Sequence, residues 1–99
     1  MAKSIIQEDK QTCYLCGRNA HADYMGLDKH HVFSGKPNRT LSEKYGLKVY
    51  LCHDKCHLNG VHKNAKMNNQ LKAKVQSIAM QHYGWTVEDF IAIFGKSYI

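Results

Sequence analysis

The sequence predicts a small α+β domain held together by a metal ion, and three observations predict it. Four cysteines fall in two close pairs, Cys13 with Cys16 and Cys52 with Cys56. Two short apolar segments of strand character lie between and beside those pairs. Two helical periods then fill the C-terminal third. A chain of 99 residues makes one domain but buries a smaller fraction of its surface than a longer chain, so a staple adds what the core lacks.

The elements follow in order. "CYLCGRNA" reads as a tight knuckle, with Gly17 free to take a positive φ that turns backbone amides toward sulfur. A strand is expected from about Leu27 to Phe33. "SGKPNRTLSEKYG" mixes turn residues with a short helix from about Thr40 to Tyr45, stopped by Gly46. "LKVYLC" alternates Leu47, Val49 and Leu51 with Lys48 and Tyr50, the period of a half-buried strand. A hairpin of the two strands is expected to bring His31 near Cys52. From about Asn64 to Tyr83, Met67, Leu71, Val75, Ile78, Ala79 and His82 share one helical face, with Lys66, Lys72, Lys74 and Gln76 largely elsewhere. Thr86 caps a last helix, with Asp89 three residues on and Gly95 as terminator; Phe90, Ile91, Ile93 and Phe94 are assigned mostly to the core. Trp85 and Tyr98 are read as packing residues in preference to base-stacking ones. The first ten or so residues look dispensable to the fold. The whole chain, 1–99, is read as one domain, with a core at about 13–63 and C-terminal helices at about 64–95.

Charge narrows the function. Between Lys29 and Lys74 ten Lys or Arg face only Glu43 and Asp54, within a formal net charge of +6. Such a field suits a polyanion. No stretch approaches the roughly 18 apolar residues that span a bilayer, and the start shows no signal-peptide core. The expectation is a soluble, cytoplasmic protein that does not enter membranes.

In a reducing compartment the paired cysteines favour metal over disulfides. Cys13, Cys16, Cys52 and Cys56 suit a closed, four-coordinate structural Zn²⁺. The Cys-x-x-x-Cys spacing is one residue wider than the usual knuckle, which leaves His53 and His57 as substitutes for a cysteine. A reactive Cys-x-x-Cys redox site explains neither the second pair nor the histidines.

Five of seven histidines, His30, His31, His53, His57 and His62, lie between positions 30 and 62. Adjacent residues of an extended chain point to opposite faces, so His30 and His31 have different tasks. Imidazoles from the strand and from the stretch after Cys56 suit a second, hard or borderline cation, with another imidazole left as a base. His21 and His82 read as structural.

"CYLC", "DKHHVFSG" and "VYLCHDKCHLNGVH" together resemble the HNH nucleases, the ββα-metal or His-Me finger family, in particular its small zinc-bearing bacteriophage members. The resemblance covers about residues 13 to 63. It implies a ββα-metal core, His30 as ligand of a catalytic divalent cation and His31 as general base, with His57 or His62 as a further ligand. It implies Mg²⁺ or Mn²⁺ as that cation, Ni²⁺ or Zn²⁺ being alternatives, and hydrolysis of DNA to 5′-phosphate and 3′-hydroxyl ends in phage DNA metabolism, in the host cytoplasm. The family's middle asparagine has no counterpart in "EKYGLKVYLC"; Asn38, or a backbone carbonyl, stands in for it. Lys29, Lys36, Arg39, Lys55, Lys63 and Lys66 are the expected phosphate contacts, and Asp28 and Asp54 the carboxylates that orient imidazoles. A monomer or weak homodimer acting on double-stranded or branched DNA is expected, RNA being the other polyanion. The competing reading is a noncatalytic, zinc-stabilised nucleic-acid-binding module.

Overall fold

The computed structural model describes residues 4–7, 11–17, 27–35 and 37–99, except for the side chains at 54, 55, 58 and 59. His21, Lys36 and the side chains of Asp54 and Lys55 therefore lie outside the described residues. Among those described, the elements are β1 (Leu27–His31), α1 (Asn38–Tyr45), β2 (Lys48–Cys52), a π-helix (His53–Val61), α2 (Ala65–Tyr83) and α3 (Val87–Phe94). This is a small α+β fold. Its radius of gyration of 13.2 Å matches the value of about 13 Å for a compact chain of this size. No described helix is long and apolar enough to cross a membrane.

β1 and β2 pair antiparallel, with Leu27 opposite Cys52, His30 opposite Val49 and His31 opposite Lys48. That register corrects the expected meeting of His31 with Cys52. In an antiparallel pair the last residue of one strand faces the first of the other, and α1 lies in the connection, so His31 sits at the α1 end of the sheet and Cys52 at the other.

α1 begins at Asn38, two residues before the expectation, and ends where Gly46 takes φ 73°, a left-handed conformation that only glycine adopts without steric cost. The Ser42 hydroxyl, fully buried, clamps this helix to the end of β1: it accepts from the Phe33 N–H at 3.2 Å and donates to the Phe33 carbonyl at 2.7 Å. β2 departs from a half-buried strand. Lys48, Val49, Leu51 and Cys52 are all buried, Lys48 because its ammonium pairs with Glu43.

The N-terminal segment is part of the fold. The Ser4 hydroxyl donates to the Lys48 carbonyl at 2.5 Å, Ile5 N–H to the Gly46 carbonyl at 3.0 Å, and Tyr50 N–H to Gln7 Oε1 at 2.9 Å. These bonds correct the reading of the first ten residues as dispensable: residues 4–7 satisfy backbone groups around β2.

α2 starts with Asn64 accepting from Met67 N–H and stops at Gly84, φ 72°. It buries Leu71, Val75, Ala79 and also Gln76. Gln76 is a correction, since its polarity suggested the outer face. Its amide donates to Ser97 Oγ at 3.0 Å and accepts from Tyr98 N–H at 2.7 Å, which fastens the C-terminal tail and satisfies a buried polar group. His82, placed on the apolar face by its spacing, is exposed. α3 carries the expected capping box of Thr86 and Asp89. Phe90 and Phe94 enter the core, whereas Ile91 is 40% exposed.

The apolar centre joins all layers: Phe33 after β1 meets Phe90, Phe94 and Tyr98 with ring centroids 5.2, 4.9 and 5.3 Å apart. Tyr45, Tyr83 and Trp85 form a second aromatic contact, Trp85 stacking on Tyr83 at 4.7 Å and meeting Tyr45 edge-on at 5.0 Å. Trp85 and Tyr98 thus pack, as expected.

Candidate metal centre

The cysteine pairs converge. Sγ atoms of Cys13, Cys16, Cys52 and Cys56 all lie within 4.8 Å of one another, and Cys16 and Cys52 are 3.7 Å apart as free thiols. That separation is far beyond a disulfide and is close to the edge of roughly 3.8 Å in a tetrahedron of sulfur about a zinc ion. His53, considered as a substitute ligand, turns instead to Asp28. Local backbone prepares the site: Gly17 at φ 77° closes the first knuckle, donating its N–H to the Cys13 carbonyl at 2.9 Å, and Cys16 N–H faces Cys13 Sγ at 3.5 Å. Burial opposes ionisation of Cys13, but backbone amides of Cys16, Cys52 and Leu15 outweigh it and bring the thiol to about 7. Burial and the neighbouring thiols push Cys56 up. The four cysteines form a cluster fit to hold a metal ion such as zinc.

A second cluster lies across the sheet from π-helix to β1. His30, His57 and His62 bring ring nitrogens within 4.8 Å of one another. His57 Nε2 and His62 Nε2 stand 3.0 Å apart, the separation of adjacent ligands, about 3.0 Å, around an octahedral ion with bonds near 2.1 Å. His30 is buried, and its Nε2 has no hydrogen-bond partner. Burial, with repulsion from His57, His62, His31 and Lys72, drops the His30 pKa to about 4, so the ring is neutral near pH 7. A buried neutral imidazole with an unpartnered nitrogen, clustered with two others, is a donor set suited to a borderline divalent cation.

The π-helix explains why both later histidines reach this point. In an α-helix residues five apart are displaced by about 140° around the axis. Bonding from residue i to i+5 widens the turn and stacks them, and His62 N–H does donate to the His57 carbonyl, at 3.2 Å. Both His57 and His62 thus come within reach of His30. Asp28 orients one of them: its Oδ2 accepts from His57 Nδ1 at 2.8 Å and from His53 Nδ1 at 2.7 Å. Although burial opposes it, these two bonds hold the Asp28 carboxyl below its usual range. With Nδ1 turned to Asp28, Nε2 of His57 is the nitrogen that faces His62.

His31 occupies the next position along β1 and opens on the same hollow of about 290 Å³, lined by Lys29, His30, His31, Ser34, Gly35, Arg39, His57 and His62. Burial lowers its pKa, Glu43 opposes that shift, and Lys29 and Arg39 add to it. Its Nε2 is 3.7 Å from Glu43 Oε1. Glu43 entered the sequence reading only in the charge count and was given no role at the site, because an isolated glutamate on a short helix carries no motif.

Other expected residues divide. Arg39 and Lys29 border the hollow, although Lys29 also reaches Glu43 at 3.0 Å. Lys63 and Lys66 are exposed at the start of α2. Asn38 does not join the histidines: its amide donates to the Phe94 carbonyl at 3.0 Å, tying α1 to α3.

No protein-family model, curated protein or solved structure matches this chain.

Proposed function

We propose that this chain is a metal-dependent DNA endonuclease of the HNH type, its ββα-metal core made of β1, β2 and the π-helix. One observation carries the reading: three imidazoles that suit a divalent cation share a hollow with a fourth, His31, that is outside their cluster, and Lys29 and Arg39 stand at its rim. Mg²⁺ or Mn²⁺, with Ni²⁺ or Zn²⁺ as alternatives, is held by His30, His57 and His62. A cation bound there supplies positive charge to the scissile phosphate and the departing oxygen.

The residues of the chain do the rest. Lys29 and Arg39 hold phosphate oxygens, and Lys63 and Lys66 extend the basic face along the backbone of the duplex, positioning it without reading bases. Neutral His31 accepts the proton of the attacking water. The four-cysteine site, loaded with Zn²⁺, fixes the start of the π-helix against the N-terminal knuckle and takes no part in chemistry. One such site nicks one strand, so double-strand cleavage takes a dimer or two visits. The phage setting and the host cytoplasm belong to the same proposal.

A second reading, the noncatalytic nucleic-acid-binding module, is favoured by the engagement of Asn38 with Phe94, which leaves the family's asparagine role unfilled by that side chain. Incubation of the zinc-loaded chain with supercoiled plasmid separates the two. Nicking with Mn²⁺ or Mg²⁺ that stops in EDTA supports the nuclease. Plasmid binding without nicking under any divalent ion refutes it and leaves the binding module.

A further inference from the structure

The geometry points to Glu43 as the residue that positions His31 for proton transfer, an inference that rests on the nuclease reading above. The Glu43 carboxylate lies on α1 with Oε1 3.7 Å from His31 Nε2. That is a charge contact, at least about half an ångström longer than an N–H···O hydrogen bond. Hydrogen bonds to a general base are often long in the free enzyme and tighten around substrate.

Three independent constraints keep the carboxylate there. Ser42, the preceding residue, is locked to both backbone groups of Phe33, two residues beyond His31. Lys48, the cross-strand partner of His31, is buried and grips Glu43 Oε2. Lys29 holds Oε1 at 3.0 Å. The hydrogen bonds from Lys48 and Lys29 bring the Glu43 pKa to about 2, so the group is a permanent anion. Besides Lys48, the other charged or titratable groups around His31 are Lys29, Arg39, Lys44, His30, His57 and His62, all cationic or imidazole, which leaves Glu43 as the one anion beside this ring among the described residues.

The consequence is a choice of tautomer. An anion beside Nε2 favours the proton on Nε2, which makes Nδ1 the nitrogen with the free lone pair. The same anion stabilises the imidazolium formed once water has been deprotonated. Glu43 touches no substrate in this account; it acts through His31.

Nitrogen-15 NMR of histidine-labelled, zinc-loaded chain, without paramagnetic ions, reads the tautomer directly. His31 is expected as Nε2–H in the wild type and as a mixture of tautomers in Glu43→Gln. In plasmid nicking, kcat of Glu43→Gln is expected to fall about tenfold or more, with KM for DNA within about twofold of wild type and Glu43→Asp between the two. A wild-type His31 in the Nδ1–H form overturns the inference, and this arm stands even if Glu43→Gln does not fold. So does a folded Glu43→Gln with unchanged tautomer, or with unchanged kcat. A wild-type chain that never cuts DNA refutes the nuclease reading separately, since the tautomer comparison needs no activity.

Discussion

Asp28→Asn tests how the histidine cluster is built. In the wild type one carboxylate oxygen takes N–H donors from both His57 and His53, at 2.8 and 2.7 Å. An asparagine offers one carbonyl oxygen in the same place, so the bond to His57 survives as a neutral one. A hydrogen bond to a charged group contributes about 1.5–3 kcal/mol and a neutral one about 0.5–1.5, a loss of roughly 1–1.5 kcal/mol. Since about 1.4 kcal/mol is tenfold in a dissociation constant, the expected loss of affinity for the divalent cation is close to tenfold. That is the lower end of the 10–100-fold range for partners of metal-bound histidines. The lower end is appropriate because Asp28 is 30% exposed, where water competes for the imidazole N–H. Titration calorimetry of zinc-loaded wild type and variant with Mn²⁺ measures the ratio. Equal affinities would refute the reasoning, because His57 would then need no fixed tautomer to act as a ligand.

Further outcomes follow from the same structure. Phe33→Ala removes a fully buried ring that meets three others and is expected to cost about 3–5 kcal/mol in chemical denaturation. Cys56→Ser, or a strong chelator, is expected to lower the midpoint of thermal unfolding sharply. Wild type should bind one Zn²⁺ in the cysteine cluster with release of protons, since Cys56 is held protonated by its surroundings; calorimetry in buffers of different ionisation enthalpy counts them. Glu43 is depressed from 4.5 to about 2 in the folded chain. The unfolded state therefore binds the extra proton between those values, and stability from this group is complete above about pH 4.5 and lost on acidification toward pH 2. The acid limb of the stability curve should flatten in Glu43→Gln.

Local signals were the legible ones. Gly46, Gly84 and Gly95 end helices because their left-handed conformations are hostile to other residues, and Thr86 with Asp89 marks a helix start by reciprocal bonds. The cysteine pairs could be matched because thiolates in paired spacing have few other uses. What resisted reading depends on partners distant in sequence. Lys48 is buried with its ammonium paired to Glu43 on α1, and Gln76 with its amide used by the arriving tail. Only one of His57 and His62 was expected beside the cation, their spacing of five leaving the choice open; the wider π-helical turn brings the two rings together. The contact expected between His31 and Cys52 failed for want of a register, which depends on α1 bridging the strands rather than on a tight turn.

In the proposed nuclease His31 is the base while His30, His57 and His62 hold the cation. The most direct measurement is single-turnover cleavage of a labelled DNA duplex by zinc-loaded wild type and His31→Ala in Mn²⁺, with DNA and Mn²⁺ affinities measured alongside. The account predicts that His31→Ala binds both as the wild type does and cuts at least about a hundredfold more slowly. Cleavage at the wild-type rate by His31→Ala would contradict it.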